Sequence, residues 1–127
     1  MPLAEALPTL TPATVTVAVE RIVAACQPEA ILAFGSRARG QARPDSDLDL
    51  CVLLPAPAAE DGGALRRRLR ALLADMPFAK DILVTDAEAF ARSRTQLNGV
   101  YQDIAATGFP LWEGAHLNPA AIARVCR

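Results

Sequence analysis

Residues 30–54 of the chain read AILAFGSRARGQARPDSDLDLCVLL. Two short apolar runs, at 30–34 and 50–54, enclose a polar segment with a Gly-Ser pair, three arginines and two carboxylates one residue apart. Continuous apolar runs of this length are typical of strands that are covered on both faces. The stretch therefore predicts two buried strands with a functional site at the rim of their sheet.

The rest of the chain supplies helices and further strands around this stretch. Apolar spacing and turn residues predict helices at about 12–26, 37–39, 65–76, 86–93 and 94–107, a last helical turn at 119–125, strands at 30–34, 47–54 and 78–85, and a short edge strand at 109–112. Thr11, Ser36 and Asp86 are predicted helix caps. Alternating helices and strands predict an α/β or α+β fold, with a small mixed β-sheet flanked by helices.

Length and composition indicate one soluble globular domain over 1–127, with an irregular lead-in at 1–11 and a tail at 114–127. The formal net charge of −1 argues against a direct nucleic-acid partner, which would need clustered excess positive charge. No signal peptide and no membrane-spanning apolar run is visible, so we expect a cytoplasmic protein. The three cysteines lie far apart and are interpreted as buried thiols rather than zinc ligands.

Asp47 and Asp49 are two residues apart in the second predicted strand, so their side chains are expected on one face. Two adjacent carboxylates repel each other unless a cation compensates their charge. Oxygen-only ligands favour Mg²⁺, with Mn²⁺ possible, and two such ions can clamp the oxygens of a phosphoryl or nucleotidyl displacement. The alternative interpretation is a pair of solvent-facing charges at a strand end.

Gly35 and Ser36 are suited to phosphate binding, because glycine admits close approach to the backbone and serine offers a hydroxyl at a helix start. Asp81 opens the apolar run of the third predicted strand and is the candidate for a third carboxylate, although it could be a plain strand-start charge. The candidate cations for the triphosphate, or else simple surface charges, are Arg37, Arg39 and Arg43. The arginines at 66–68 and 70 are interpreted as a solvated helix face, with an acidic partner surface as the alternative.

The spacing of these motifs resembles a known signature. Gly35-Ser36, ten residues and then Asp47-Leu48-Asp49 is similar to the motif of the DNA polymerase beta-like nucleotidyltransferase superfamily. The form of the motif resembles the minimal nucleotidyltransferases, which are commonly the antitoxin partners of HEPN-domain toxins. The resemblance covers most of the chain, from Thr11 to Trp112.

The resemblance implies a small mixed sheet, two Mg²⁺ ions and ATP as substrate. It implies that Gly35 and Ser36 hold the β- and γ-phosphates, that Asp47 and Asp49 bind both metals, and that Asp81 completes one metal site and helps to deprotonate the acceptor hydroxyl. The implied reaction is AMP transfer to a tyrosine of a HEPN toxin, as a type VII-like antitoxin.

Two other functions are compatible with the sequence. One is a non-catalytic antitoxin that neutralises the toxin by covering it, with the apolar segment 109–112 as an interface. The other is nucleotidylation of a small molecule such as an antibiotic, against which the absence of an acceptor domain argues. The base of the nucleotide is not encoded in the motif.

Overall fold

The computed structural model describes residues 10–58, 60–93 and 99–127. The elements in these ranges are α1 (Pro12–Cys26), β1 (Ala30–Phe34), α2 (Gly35–Ala38), β2 (Leu48–Leu54), α3 (Gly62–Leu72), β3 (Lys80–Asp86), α4 (Ala87–Ser93), α5 (Val100–Thr107), β4 (Phe109–Glu113), β5 (His116–Leu117) and α6 (Pro119–Val125). This order confirms the predicted alternation of helices and strands. Most of the predicted lead-in, 1–9, and the first part of the predicted helix at 94–107 lie outside the described residues.

The five strands form one mixed sheet in the order β3-β2-β1-β4-β5. β1 is antiparallel to both β2 and β4, whereas β2 and β3 run parallel and are connected through α3. The predicted fold class is therefore confirmed. One strand was misplaced: β4 contains the segment predicted to be an edge strand, yet it pairs with β1 on one side and with β5 on the other.

The sheet separates two apolar clusters. Alternate residues of β2, such as Leu48, Leu50 and Val52, join the main core with α1, α3 and α6. On the opposite face Cys51 packs with Phe34 and with residues of α4 and α5. Asp49 and Asp81, the first acids of β2 and β3, lie on this second face next to the apolar cluster. They form the polar end of a partly buried surface.

The segment that the sequence leaves as a tail is part of the core. α6 begins after Asn118, whose side chain accepts a hydrogen bond from the Ala121 N–H. Ile122 and Val125 of this helix are buried in the main cluster. The predicted last helical turn at 119–125 is therefore confirmed, and it closes one side of the sheet.

Two of the three predicted caps are present. Thr11 forms a capping box with Thr14, and Asp86 accepts the Ala89 N–H at 2.7 Å. Ser36 does not cap α2, because the helix begins one residue earlier, at Gly35. Among the described residues no helix is both long and apolar enough to cross a bilayer.

Candidate active site

The sheet register brings two of the three predicted acids, Asp49 and Asp81, side by side. Together with Asp47, which directly precedes β2, they form the row of acids. Asp49 pairs with Phe34 on one side, immediately before Gly35, and with Asp81 on the other. Paired residues of neighbouring strands lie about 5 Å apart and project to the same face. The Gly-Ser segment, the acid of β2 and the acid of β3 therefore follow one another across three strands, although Asp81 is distant from Asp49 in the sequence.

Gly35 and Asp49 are packed directly against each other. Gly35 has a φ of +75°, a backbone conformation that favours glycine. A Cβ atom at this position would lie 2.0 Å from the Asp49 Oδ2 atom. The glycine therefore serves two purposes: it makes the sharp turn from β1 into α2, and it leaves the space that the Asp49 carboxylate occupies.

Asp49 carries a perturbed carboxyl group. Burial, and then the negative charges of Asp81 and Asp47, raise the pKa of Asp49 to about 6, against a smaller lowering effect of Arg39. Partly buried, clustered carboxylates of this kind are stabilised by an added cation. The negative form of Asp49 is therefore disfavoured by its burial and by its acidic neighbours.

Asp47 and Asp81 are held less tightly than Asp49. Asp47 is exposed and directly precedes β2, which begins at Leu48 rather than at the predicted residue 47. Asp81 is half exposed, and its Oδ1 atom accepts a hydrogen bond from Arg66 Nη2 at 3.3 Å. Asp81 therefore lies beside Asp49 across the sheet, and the exposed Asp47 lies two residues before Asp49 along the chain.

The environment of Arg37 contradicts the prediction that this side chain binds the nucleotide. Its side chain is only 5 % exposed. The guanidinium donates to backbone carbonyls of the loop after α2 and of α6; these carbonyls belong to Arg43, Pro44, Ser46 and Val125. A side chain that is buried with its donors directed at the protein backbone cannot also reach a phosphate. Arg37 holds the loop that leads to Asp47, and we leave it out of the proposed nucleotide site.

The other two predicted cations lie at the surface. Arg39 forms an ion pair with Asp103 of α5 at 3.2 Å and lies near enough to lower the pKa of Asp49. Arg43 is exposed, and its guanidinium has no ion pair within the described ranges. Both therefore remain candidates for contact with a bound triphosphate.

Ser36 is the second residue of α2 and is partly buried. Its carbonyl accepts the Gln41 N–H at 2.9 Å, which closes the turn after α2. Gly40, with a φ of +73°, occupies that turn. The Gly-Ser segment is thus a single helical turn beside Asp49. The contact of Gly35 with Asp49 fixes its start, and the hydrogen bond from Gln41 fixes its end.

The donor set of the row fits a divalent cation in its chemistry, since all three side chains offer carboxylate oxygens. In the part of the chain that the structure describes, no three His, Cys, Asp or Glu side chains are already gathered around a common metal position. Asp49 and Asp81 are neighbours in the sheet, whereas Asp47 directly precedes it.

Sequence reasoning missed Arg66, which it assigned to a solvated helix face. Arg66 Nε donates to the Ile82 carbonyl at 2.6 Å, next to the contact that Nη2 makes with Asp81. Its neighbour Arg68 instead pairs with Glu60, towards the other end of α3. No sequence signal distinguishes these arginines, because the difference depends on how α3 is rotated against the sheet.

A cavity of about 460 Å³ lies elsewhere in the molecule, at the opposite ends of the central strands. Cys26, Leu54 and Pro57 are among its lining residues, and none of the predicted site residues lines it. This cavity is therefore separate from the row of acids.

The sequence matches the model of the nucleotidyltransferase domain family over residues 18–100, which is more than half of the chain. The chain belongs to this family. The matched range contains the Gly-Ser pair and all three acids of the row. A sequence comparison with curated proteins finds no match.

Solved structures with the same fold support this assignment. A protein from Sulfolobus solfataricus described as a nucleotidyltransferase superposes with a TM-score of 0.60 at 16% identity, covering 91% of this chain and 96% of its own. A toxin–antitoxin structure with AMP-PNP gives 0.52 at 20% identity, covering 87% and 82%. A variant of the toxin–antitoxin complex MntA-HpeT gives 0.51 at 21% identity, covering 87% and 81%. At these identities the likeness shows the fold.

Proposed function

We propose that this chain transfers AMP from ATP to a tyrosine hydroxyl of a HEPN-domain toxin and so acts as its antitoxin. The observation that carries the proposal is the register of β1, β2 and β3, which aligns Gly35, Asp49 and Asp81 in a family of nucleotidyltransferases. The toxin–antitoxin structures with the same fold, one of them with AMP-PNP, favour this acceptor class and an adenine nucleotide.

We infer the positions of the two substrates from the order of groups across the sheet. The triphosphate would lie on the β1 side, at Gly35 and Ser36, where Arg39 is near enough to act on Asp49 and Arg43 is an exposed cation of the following loop. The acceptor would approach from the β3 side, where Asp81 lies half exposed at the edge of the sheet. Asp49, between the two, would face the α-phosphate.

In the proposed step the acceptor oxygen forms a bond to the α-phosphorus of ATP while the bond to the bridging oxygen breaks, and pyrophosphate leaves with that electron pair. Asp81 would take the hydroxyl proton as the oxygen attacks. The three acids would hold divalent ions, whose chemistry when bound is to neutralise the triphosphate charge and align the attacking and leaving oxygens. The protein's own contribution is to fix Asp49 against Gly35 before the substrate arrives.

The proposal is tested by transfer of label from α-³²P-ATP to a purified HEPN partner. Asp47→Asn combined with Asp49→Asn should lower the labelling rate by at least about a hundredfold, because both central carboxylates are lost. Asp45→Asn is the control, since Asp45 is exposed in the same loop and carries the same charge. γ-³²P-ATP should leave the partner unlabelled, because that phosphate departs in pyrophosphate.

Labelling that survives in the double variant would contradict the proposal. Cell survival then separates catalysis from neutralisation by covering the toxin: if the double variant protects cells as well as the wild type does, the chain acts by binding alone. The structure weakens the original reason for that alternative, because the apolar segment predicted as an interface is β4, inside the sheet, with Leu111 fully buried.

A further inference from the structure

Arg66 lies outside the predicted site but contacts an acid of the row. It extends from α3, which covers the main-core face, past the edge strand β3 to the opposite side. Its Nε atom donates to the Ile82 carbonyl at 2.6 Å, and its Nη2 atom donates to Asp81 Oδ1 at 3.3 Å. The two contacts fix the guanidinium against both the backbone and the acid of the same strand.

The backbone contact distinguishes this pair from an ordinary surface ion pair. An edge strand presents carbonyl groups without a partner strand, and Arg66 satisfies one of them. Because the guanidinium is already held there, little side-chain entropy is lost when it also binds Asp81. The cation is therefore a fixed part of the acidic row rather than a mobile surface charge.

The contact also affects which oxygens Asp81 can offer. Asp81 lies beside Asp49 in the register, but its Oδ1 atom is directed to Arg66, and the described acids do not converge on one metal position. A guanidinium in this place supplies the positive charge that the acids need in the absence of a metal. It also repels a divalent ion that approaches the same oxygen.

We propose that Arg66 is a positioning residue that holds Asp81 at the sheet edge as a cationic substitute for the divalent ion. Asp81 joins the other two acids only when this contact is released. The inference rests on the proposed function, because it takes the three acids as the metal ligands. Its consequence is that the metal-free protein is held in a state in which the acceptor-side acid is not yet engaged.

The test is Mn²⁺ binding to the nucleotide-free protein, measured by electron paramagnetic resonance of the unbound ion. Arg66→Gln should bind Mn²⁺ about three- to fivefold more tightly than Arg70→Gln, as expected for removal of a half-exposed competing pair. Arg70 is the matched control, because it lies one turn further along α3, is exposed and makes no ion pair within the described ranges.

Two further variants separate positioning from a general charge effect. Arg66→Lys keeps a cation near Asp81 and should bind Mn²⁺ more weakly than Arg66→Gln does. In an Asp81→Asn background, Arg66→Gln and Arg70→Gln should have equal affinities, since the coupled partner is gone. Thermal melts of all variants check that each remains folded.

Equal or weaker Mn²⁺ binding by Arg66→Gln, compared with Arg70→Gln, would overturn the inference while leaving the proposed function intact. Persistence of the difference in the Asp81→Asn background would also overturn it. Absence of Mn²⁺ binding by both the wild type and Arg66→Gln would overturn the proposed function and this inference together.

Discussion

The β1–β2 hairpin and the edge strand β3 supply acids to the same row, but they hold them differently. In the hairpin, Asp49 is packed against Gly35. The buried side chain of Arg37 holds the loop that leads to Asp47. On β3, Asp81 is half exposed and is held by a side chain from another helix. The side proposed for the nucleotide is therefore preformed, whereas the side proposed for the acceptor is adjustable.

The largest expected effect is on the hairpin, through Arg37→Met. The substitution keeps most of the side-chain volume but leaves four backbone carbonyls without their donor, at one buried and three partly buried hydrogen bonds. We expect a loss of about 3 kcal/mol in the free energy of unfolding. Urea denaturation at neutral pH measures it.

Arg39→Met is the control for this prediction, because Arg39 makes a surface ion pair with Asp103 and should contribute less than about 1 kcal/mol. Equal destabilisation by the two substitutions would mean that the loop is not held by Arg37. The hairpin would then be no more rigid than the edge strand.

The contact between Gly35 and Asp49 is the next test of a preformed site. Gly35→Ala places a methyl group only 2.0 Å from the position of Asp49 Oδ2, and it also imposes a φ of +75° on alanine. We expect a loss of roughly 2 kcal/mol in stability, together with at least a tenfold loss of transfer rate as the carboxylate is displaced. Urea denaturation and the labelling assay measure the two effects.

Gly40→Ala separates conformational strain from the clash. Gly40 has a φ of +73°, but a Cβ atom there would meet no atom within 4 Å. This variant should lose only about 1 kcal/mol and retain the transfer rate. If both alanine variants keep full activity, close packing at Gly35 does not position Asp49.

These two regions also differ in how far they could be predicted from the sequence. The Gly-Ser pair, Asp47 and Asp49 lie within 15 residues of one another, and the antiparallel pairing of the two flanking apolar runs brings them together. Asp81 could be proposed only from its place at a strand start, and the parallel register of β2 and β3 then brings it beside Asp49.

The two arginine contacts could not be predicted, for physical reasons. Arg37 belongs to a single helical turn, too short for any periodicity to show which side chain turns inward, and its partners are carbonyls that carry no sequence signal. The role of Arg66 depends on the rotation of α3 about its axis relative to the sheet edge. The misassigned edge strand has a similar origin, because the two-residue β5 that covers β4 is too short to be recognised.

The smallest expected effect comes from the same substitution, Asp→Asn, at the two acids that pair across β2 and β3. The pKa of Asp49 is raised to about 6 by burial and by its acidic neighbours, so the folded state binds this proton more tightly than the unfolded chain does. Its contribution to stability is therefore full below about pH 4 and is lost as the pH rises through 6. In metal-free buffer at pH 7.5, Asp49→Asn should be more stable than the wild type by on the order of 1 kcal/mol, after allowance for solvent screening of a partly exposed group. At pH 3.5, where Asp49 is protonated in the folded state, the gain should disappear.

Asp81→Asn should change the free energy of unfolding by less than about 0.5 kcal/mol at pH 7.5, because Arg66 already compensates this half-exposed charge. Urea denaturation with a chelator at both pH values measures the difference. Equal gains for the two variants would show that Asp49 and Asp81 are held alike, and the distinction between a preformed and an adjustable side would then fail.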